Sequence, residues 1–267
     1  MDTPTSALNF MRRHRITRDR VDFSNMDSRQ IAYEEQIFGR RTGGNAMRAS
    51  EQYRNGKRNA EYWEDLAQGQ KGYEILDVGC GQGYGLHFMT LHGLQARGLN
   101  LSVVEAELAR HGRPNRRTHV MEWRSNVNKK VDVGSALRMP YEDESFDGVA
   151  CYGVLMMIPR SMRIFDPEAT FRPYKTVETV MGEVSRVLKP DGSLHLITMK
   201  EGGQQPERTE DYILFGENDY AVLDAHGKPV INGDTGVSEF VENAGLVVEK
   251  TGLVGKDKFW SIRARKQ

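Results

Sequence analysis

Two rhythms of apolar residues alternate along the chain. Segments 73–78, 96–101, 131–133, 146–152 and 193–199 are short runs rich in Ile, Leu, Val, Phe and Tyr, closed by glycine or polar turns, as in strands buried on both faces. Between them the apolar positions recur three and four apart. Tyr53, Ala60, Trp63, Leu66 and Ala67 mark a helix over 45–67, and Val177, Val180, Met181, Val184, Val187 and Leu188 mark another. A helix starts near Leu86. Ser102 followed by Glu105 is a capping box opening a helix that runs to about Arg110. Pro190 and Gly192 end the helix before 193–199, the proline because it cannot continue it and the glycine because it permits a left-handed turn. Val237, Phe240, Val241 and Ala244 carry a last helix, and 246–251 and 259–264 read as closing strands. Residues 1–30 read as a flexible, basic start that closes into a helix, 111–130 as a polar stretch without a regular element, and 159–174 and 200–234 as insertions. Strands alternating with helices predict an α/β protein. Its seven-stranded, mostly parallel sheet has helices on both faces and an antiparallel edge strand.

Composition narrows the function classes. The 37 Lys and Arg balance 37 Asp and Glu, so no overall field attracts nucleic acid or an anionic membrane, and neither is expected as a partner. The charges are nevertheless uneven: residues 1–60 hold 12 basic against 7 acidic side chains, and 201–224 hold 7 carboxylates against one arginine. Both read as solvated surface. Cys80 and Cys151 lie in strand-like surroundings and read as buried thiols, and the seven histidines show no ligand spacing, so no metal is expected. There is no apolar run of 18 residues and no apolar core of a secretion signal, which makes a cytoplasmic location the expectation.

The sharpest chemical feature is Asp77-Val78-Gly79-Cys80-Gly81-Gln82-Gly83, between a strand and a helix. Glycines there let the backbone turn tightly and approach a ligand. The glycines alternate, unlike the G-x-G-x-x-G spacing of pyrophosphate binders, and a carboxylate stands two residues before the first. That arrangement suits a ligand carrying a cationic amine or sulfonium.

Ile75 through Gly83 resembles motif I of the class I S-adenosylmethionine-dependent methyltransferases, of the type 11/25-like kind. Further stretches are similar in order: Gly98-Leu99-Asn100-Leu101-Ser102, Gly134 to Pro140 with Ser145-Phe146-Asp147, Glu183 to Gly192, and Gly245-Leu246. The resemblance implies a Rossmann-like three-layer sandwich over 71–267, preceded by a helical lid or arm over 1–70. It also implies S-adenosylmethionine as cofactor. Asp77 and the backbone of Gly79, Cys80, Gly81 and Gly83 would hold the methionine part. Asn100, beside Leu101, would take the ribose hydroxyls in place of the usual acid, so that Asn100→Asp is expected to maintain or tighten binding. Ser135 and Ala136 would meet the adenine, and Tyr152 would touch the cofactor or orient the acceptor. Tyr33 to Gly39, with Thr42, Gly43 and Gly44, resembles the lid of phosphoethanolamine and other small-amine N-methyltransferases, which implies Tyr33 as a catalytic residue and Thr42 and Gly43 near the methionine carboxylate. Met157 stands where that family carries a histidine.

Methyl transfer from a sulfonium is an in-line displacement for which alignment and a dry pocket supply much of the rate. Met156, Met157, Met199, Lys200 and Glu201 follow strands at the end of the sheet where ligands bind and are candidates for the pocket wall. The expectation is N- or O-methylation of a small molecule, with Tyr33 and Tyr152 as catalytic candidates. RNA or protein methylation through the basic arm, and a non-catalytic cofactor-binding scaffold, are the alternatives. The acceptor atom and a homo-oligomeric state stay open.

Overall fold

A computed structural model describes residues 5–41, 49–70, 72–158, 173–200, 213–215, 220–223, 229–233, 235–255 and 259–267. Thr42, Gly43, Gly44, Glu201 and most of the two insertions lie outside the described residues. The chain divides into two compact units, Met1–Ser135 and Ala136–Gln267.

The first unit carries helices α1 (Thr5–Arg13), α2 (Ser28–Arg41), α3 (Ala49–Ala67), α4 (Tyr84–Leu91) and α5 (Val103–His111). Its strands are β1 (Glu74–Val78), β2 (Gln95–Asn100), β3 (Gly112–Pro114), β4 (Met121–Trp123) and β5 (Lys130–Val133). β2 lies parallel between β1 and β5, with Asp77 opposite Gly98 and Asn100 opposite Val133. From Thr5 on, the described residues are already helical and packed, where the sequence suggested a flexible stretch before a helix. Ala7, Phe10 and Met11 fall at the i, i+3, i+4 positions of α1 and are buried with Ile37 and Phe38 of α2, Val104 and Leu108 of α5, and Met121. His14 is buried behind α1, its Nδ1 2.6 Å from the Met121 carbonyl oxygen, and the Trp123 amide donates to the His14 carbonyl at 2.9 Å. The polar stretch 111–130 also contains an antiparallel hairpin of β3 and β4. Each of these strands has three residues, too few for a period of two to show in the sequence.

The second unit carries β6 (Phe146–Tyr152), α6 (Pro173–Val187), β7 (Leu188–Met199), α7 (Val237–Asn243), β11 (Leu246–Val254) and β12 (Phe259–Lys266). Part of the second insertion forms a small antiparallel sheet of β8 (Ile213–Phe215), β9 (Tyr220–Leu223) and β10 (Pro229–Gly233). β6 and β7 are parallel, while β12 runs antiparallel to both β7 and β11, so the edge ladder is antiparallel. β7 begins before the Lys189–Gly192 turn, and the left-handed residue in that turn is Asp191, φ 61°, rather than Gly192. Near the end of α6, Arg186 donates to the carbonyls of Met139 (3.1 Å) and Tyr141 (2.7 Å), while Glu183 accepts from the Met139 amide at 2.6 Å. These two side chains, one turn apart on α6, fix the loop that leads into β6.

The large sheet has seven strands in the order β11-β12-β7-β6-β1-β2-β5, mostly parallel and flanked by helices.

The packing of α1 is testable. Phe10→Ala is expected to lower stability by about 3–5 kcal/mol, the usual cost of emptying a buried aromatic site. Arg12→Ala, on the exposed face two residues on, should change it by less than about 0.5 kcal/mol. Urea unfolding of both variants checks this; equal, small effects would mean that α1 is not part of the core.

Candidate functional site

The glycine-rich segment is a tight turn hung from the neighbouring strand. The amides of Gly79 and Cys80 both donate to the Leu99 carbonyl of β2, at 2.7 and 3.1 Å, and the Gly83 amide closes the turn onto the Cys80 carbonyl at 2.9 Å. Gly81 and Gly83 have positive φ, 53° and 80°, but their surroundings differ. A Cβ on Gly83 would lie 2.7 Å from Cα of Ala109 in α5, so this glycine serves packing. A Cβ on Gly81 would meet nothing within 4 Å, so this glycine borders open space.

Asp77, next to last in β1, is 4% exposed. A Cβ on Gly85 in the first turn of α4 would lie 2.9 Å from its Oδ2. No hydrogen bond reaches its carboxylate among the described residues, and burial pushes the carboxyl up to about 7. A buried acid in this state lacks a cationic or hydrogen-bond-donating partner.

Asn100, at the end of β2, uses both ends of its amide within the protein. Nδ2 donates to the Gly81 carbonyl at 3.0 Å, and Oδ1 accepts from the Ser102 amide at 3.2 Å. Ser102 caps α5: its hydroxyl accepts from the Glu105 amide at 3.0 Å and donates to Oε2 of Glu34 at 2.7 Å. Glu34 of α2 also accepts from the Val103 amide at 2.7 Å and from Gln30 Nε2 at 2.8 Å, and that same Nε2 reaches the Leu101 carbonyl at 3.1 Å. Glu34 is fully buried, and burial pushes its carboxyl up to about 7 although these donors pull it down. The sequence assigns no role to Gln30, and none to Glu34, although Glu34 lies within the Tyr33–Gly39 stretch that resembles a lid. A trace of Glu34 was present, because it sits on the stripe of Ile31, Ile37 and Phe38, where an acid needs a reason to be.

The first unit therefore gathers Asp77, Gly79, Cys80, Gly81, Gly83, Asn100 and Leu101 around one turn. The Gly134 amide donates to the Asn100 carbonyl at 3.0 Å, which brings half-buried Ser135 to the same strand end. Tyr33 is half-buried against the core cluster of α1 and α2. In the second unit, Ala136 lies in a turn, and Met156, Met157, Met199 and Lys200 are half-buried after β6 and at the end of β7. Tyr152, at the end of β6, is half-buried. Its hydroxyl is 2.9 Å from Nδ1 of His195 on β7, and Nε2 of His195 is 3.1 Å from the Ser261 hydroxyl on β12. An imidazole between two hydroxyls can donate to one and accept from the other, so it ties down the Tyr152 hydroxyl. His195 was not singled out in the sequence. Its link to Tyr152 and Ser261 depends on the register of three strands.

The raised Asp77 carboxyl has a consequence for stability. A folded-state value above the ordinary 3.8 means that the folded chain holds the proton more tightly than the unfolded one. Its effect is absent below about pH 4, and it lowers stability progressively as pH rises to about 7. Asp77→Asn should therefore raise the stability of the ligand-free protein at about pH 8, by up to about 4 kcal/mol, and change it little at about pH 4. Melting temperatures of both proteins across this range test the point. A variant less stable than the parent at pH 8 would mean that the carboxylate is paired.

Comparison with known proteins agrees with this architecture. A family model described as "Methyltransferase domain" matches residues 76–196. The chain is 26% identical over 204 residues to Methyltransferase GfsG of Streptomyces halstedii, covering 74% of this chain and 59% of that protein. It is 30% identical over 132 residues to 24-methylenesterol C-methyltransferase 2 of Oryza sativa subsp. japonica, covering 48% of this chain and 29% of that protein. The chain thus spans only 29% and 59% of these relatives' lengths. Among solved structures, a protein of Pyrococcus horikoshii OT3 superposes with a TM-score of 0.54 at 19% identity, over 87% of this chain and 97% of that one, a likeness of fold. The motif, the sheet order and the matched domain together place the chain in the class I S-adenosylmethionine-dependent methyltransferase superfamily.

Proposed function

We propose that the protein is an S-adenosylmethionine-dependent methyltransferase acting on a small molecule, by N- or O-methylation. The observation that carries the cofactor assignment is the buried, unpartnered Asp77 carboxylate beside a turn whose Gly81 borders open space. A cationic amino group is the partner such a carboxylate lacks, and a backbone without a Cβ at Gly81 lets a ligand lie against it. S-adenosylmethionine would supply an electrophilic methyl group on a sulfonium. The protein's part is then to bind and orient, and a strong base is needed only for an acceptor that is protonated or poorly nucleophilic. A small-molecule acceptor is in keeping with the sterol named for one relative. The scaffold reading differs in having no turnover with any acceptor.

One observation supports methylation of RNA as a second reading. The arginines of the basic start do not stand alone: Arg15 and Arg124 both pair with Glu122, Arg113 lies across the hairpin from Glu122, and Arg20 lies over the Trp123 ring at 4.9 Å. Exposed Arg12, Arg13, Arg116 and Arg117 adjoin them in the chain. Affinity for a short RNA that falls steeply with salt would favour this reading, and salt-independent or absent binding would exclude it.

Two outcomes are expected from calorimetry. The protein should bind S-adenosylmethionine and its demethylated product S-adenosylhomocysteine, whereas folded protein binding neither would overturn the cofactor assignment. Gly81→Ala should cost only about 1 kcal/mol of stability, for the left-handed backbone, yet weaken both ligands at least about tenfold. Unchanged affinity would move the ligand away from the turn.

The hydrogen bonds of Asn100 also reverse the expectation for its substitution. An aspartate there cannot donate to the Gly81 carbonyl and would set two oxygens against each other. Asn100→Asp should weaken S-adenosylhomocysteine about tenfold, the worth of one hydrogen bond replaced by a repulsive oxygen–oxygen contact. Equal or tighter binding would show that the ribose contact outweighs the turn.

A further inference from the structure

The polar contacts around α2 form a continuous strut between three segments distant in sequence. Gln30 and Glu34 come from α2, Ser102 and Val103 from the start of α5, Asn100 from the end of β2, and Gly81 from the glycine-rich turn. The links run Glu34 Oε2 to Ser102 Oγ (2.7 Å), Ser102 N to Asn100 Oδ1 (3.2 Å), and Asn100 Nδ2 to Gly81 O (3.0 Å). Three features distinguish this from an ordinary helix cap. First, the acid lies on another helix, about 70 residues earlier, so it joins two elements as well as ending one. Second, the three side chains at its centre are buried, Glu34 at 0%, Ser102 at 0% and Asn100 at 6% exposure, while Gln30, Val103 and Gly81 at its ends are half-buried, so water does not readily replace a partner lost between Glu34 and Asn100. Third, the Asn100 amide is oriented from both ends: Ser102 N–H fixes which end is oxygen, and that leaves the N–H end to face the Gly81 carbonyl.

We propose that Glu34 is a positioning residue for cofactor binding: through Ser102 and Asn100 it fixes the Gly81 carbonyl and hence the shape of the turn that receives the ligand. The inference rests on the cofactor reading above for its ligand, though not for its mechanical part. Without Glu34, the Ser102 hydroxyl and the Val103 amide lose their acceptor and Gln30 loses its partner. The Asn100–Ser102 turn is then free to shift, and the turn at 79–83 loses one of its anchors. By linkage, a ligand that orders this turn also favours the docked position of α2, so α2 should be more protected when the ligand is bound. Glu105 is the other acid facing this site, one turn into α5, and it bears on Glu34 by repulsion. The donors Gln30, Ser102 and Val103 therefore carry the docking.

The test uses the full chain with Glu34→Gln, Ser102→Ala and Asn100→Ala, singly, and with the double variant Glu34→Gln/Asn100→Ala. Calorimetry with S-adenosylhomocysteine should show each single variant about tenfold weaker, and the double variant no weaker than Asn100→Ala alone, because both act through one strut. A purely structural role for Glu34 would instead make the two losses multiply, and this outcome overturns the proposal. In parallel, amide hydrogen exchange of the ligand-free proteins should show faster exchange at Gly79, Cys80 and Gly83 in Glu34→Gln and in Ser102→Ala than in the parent. Unchanged exchange there also overturns it. If the parent binds neither S-adenosylmethionine nor its product, the cofactor reading fails by itself, and the exchange measurement still decides whether Glu34 holds the turn. Should Glu34→Gln fold poorly, Ser102→Ala, which keeps the acid, reads the same strut one link further on.

Discussion

The Leu99 carbonyl is the hinge pin of the first unit. It takes the amides of Gly79 and Cys80 together, so the chain leaving β1 must turn at once and start α4 over the end of β2. That turn sets the close approach of Gly83 to Ala109, and with it the packing of the turn against α5, and it leaves Asp77 enclosed beside Gly85. The amides of Gly79, Cys80 and Gly83 are used in this way, and beside them the Asp77 carboxylate has no donor among the described residues. A buried carboxylate without a donor is the kind of group that a cationic partner would stabilise.

The buried carboxylates in this unit have different standing. Asp77 has no donor among the described residues, so its burial lowers the stability of the ligand-free protein as pH rises towards 7. Glu34 is buried more completely but accepts from three donors, so it holds elements together. Burial pushes both carboxyls up to about 7, and their hydrogen-bond partners separate them: Glu34 has three donors, Asp77 none among the described residues.

The same division recurs in the second unit. Arg186 and Glu183 are spent on holding the loop at 139–143, while the row Tyr152, His195, Ser261 ties a half-buried phenol at the end of β6 to two further strands. In both units a side chain near the strand ends is held by a residue from an element whose importance does not show locally.

The order of strands and helices, the glycine-rich turn and the capping serine were legible in the sequence because each is a local matter. Apolar periodicity reports which face a segment buries, a run of alternating glycines reports a backbone that must turn, and a serine before a helix reports an unsatisfied amide. Gly79 to Gly83 and Ser102 could be placed on that basis alone. Only the tertiary structure decided the rest. Whether α1 docks depended on a matching apolar surface on α2, α5 and β4, which nothing in Thr5–Arg13 encodes by itself. The hairpin at 112–123 is too short for any period. Asn100 has the composition of a ribose acceptor, yet its amide is oriented by Ser102 and committed to Gly81, a contact across 19 residues. Glu34 gained its place from α5, 68 residues later. Hydrogen bonds between distant segments leave no spacing rule in a chain, since their geometry exists only once the elements have packed.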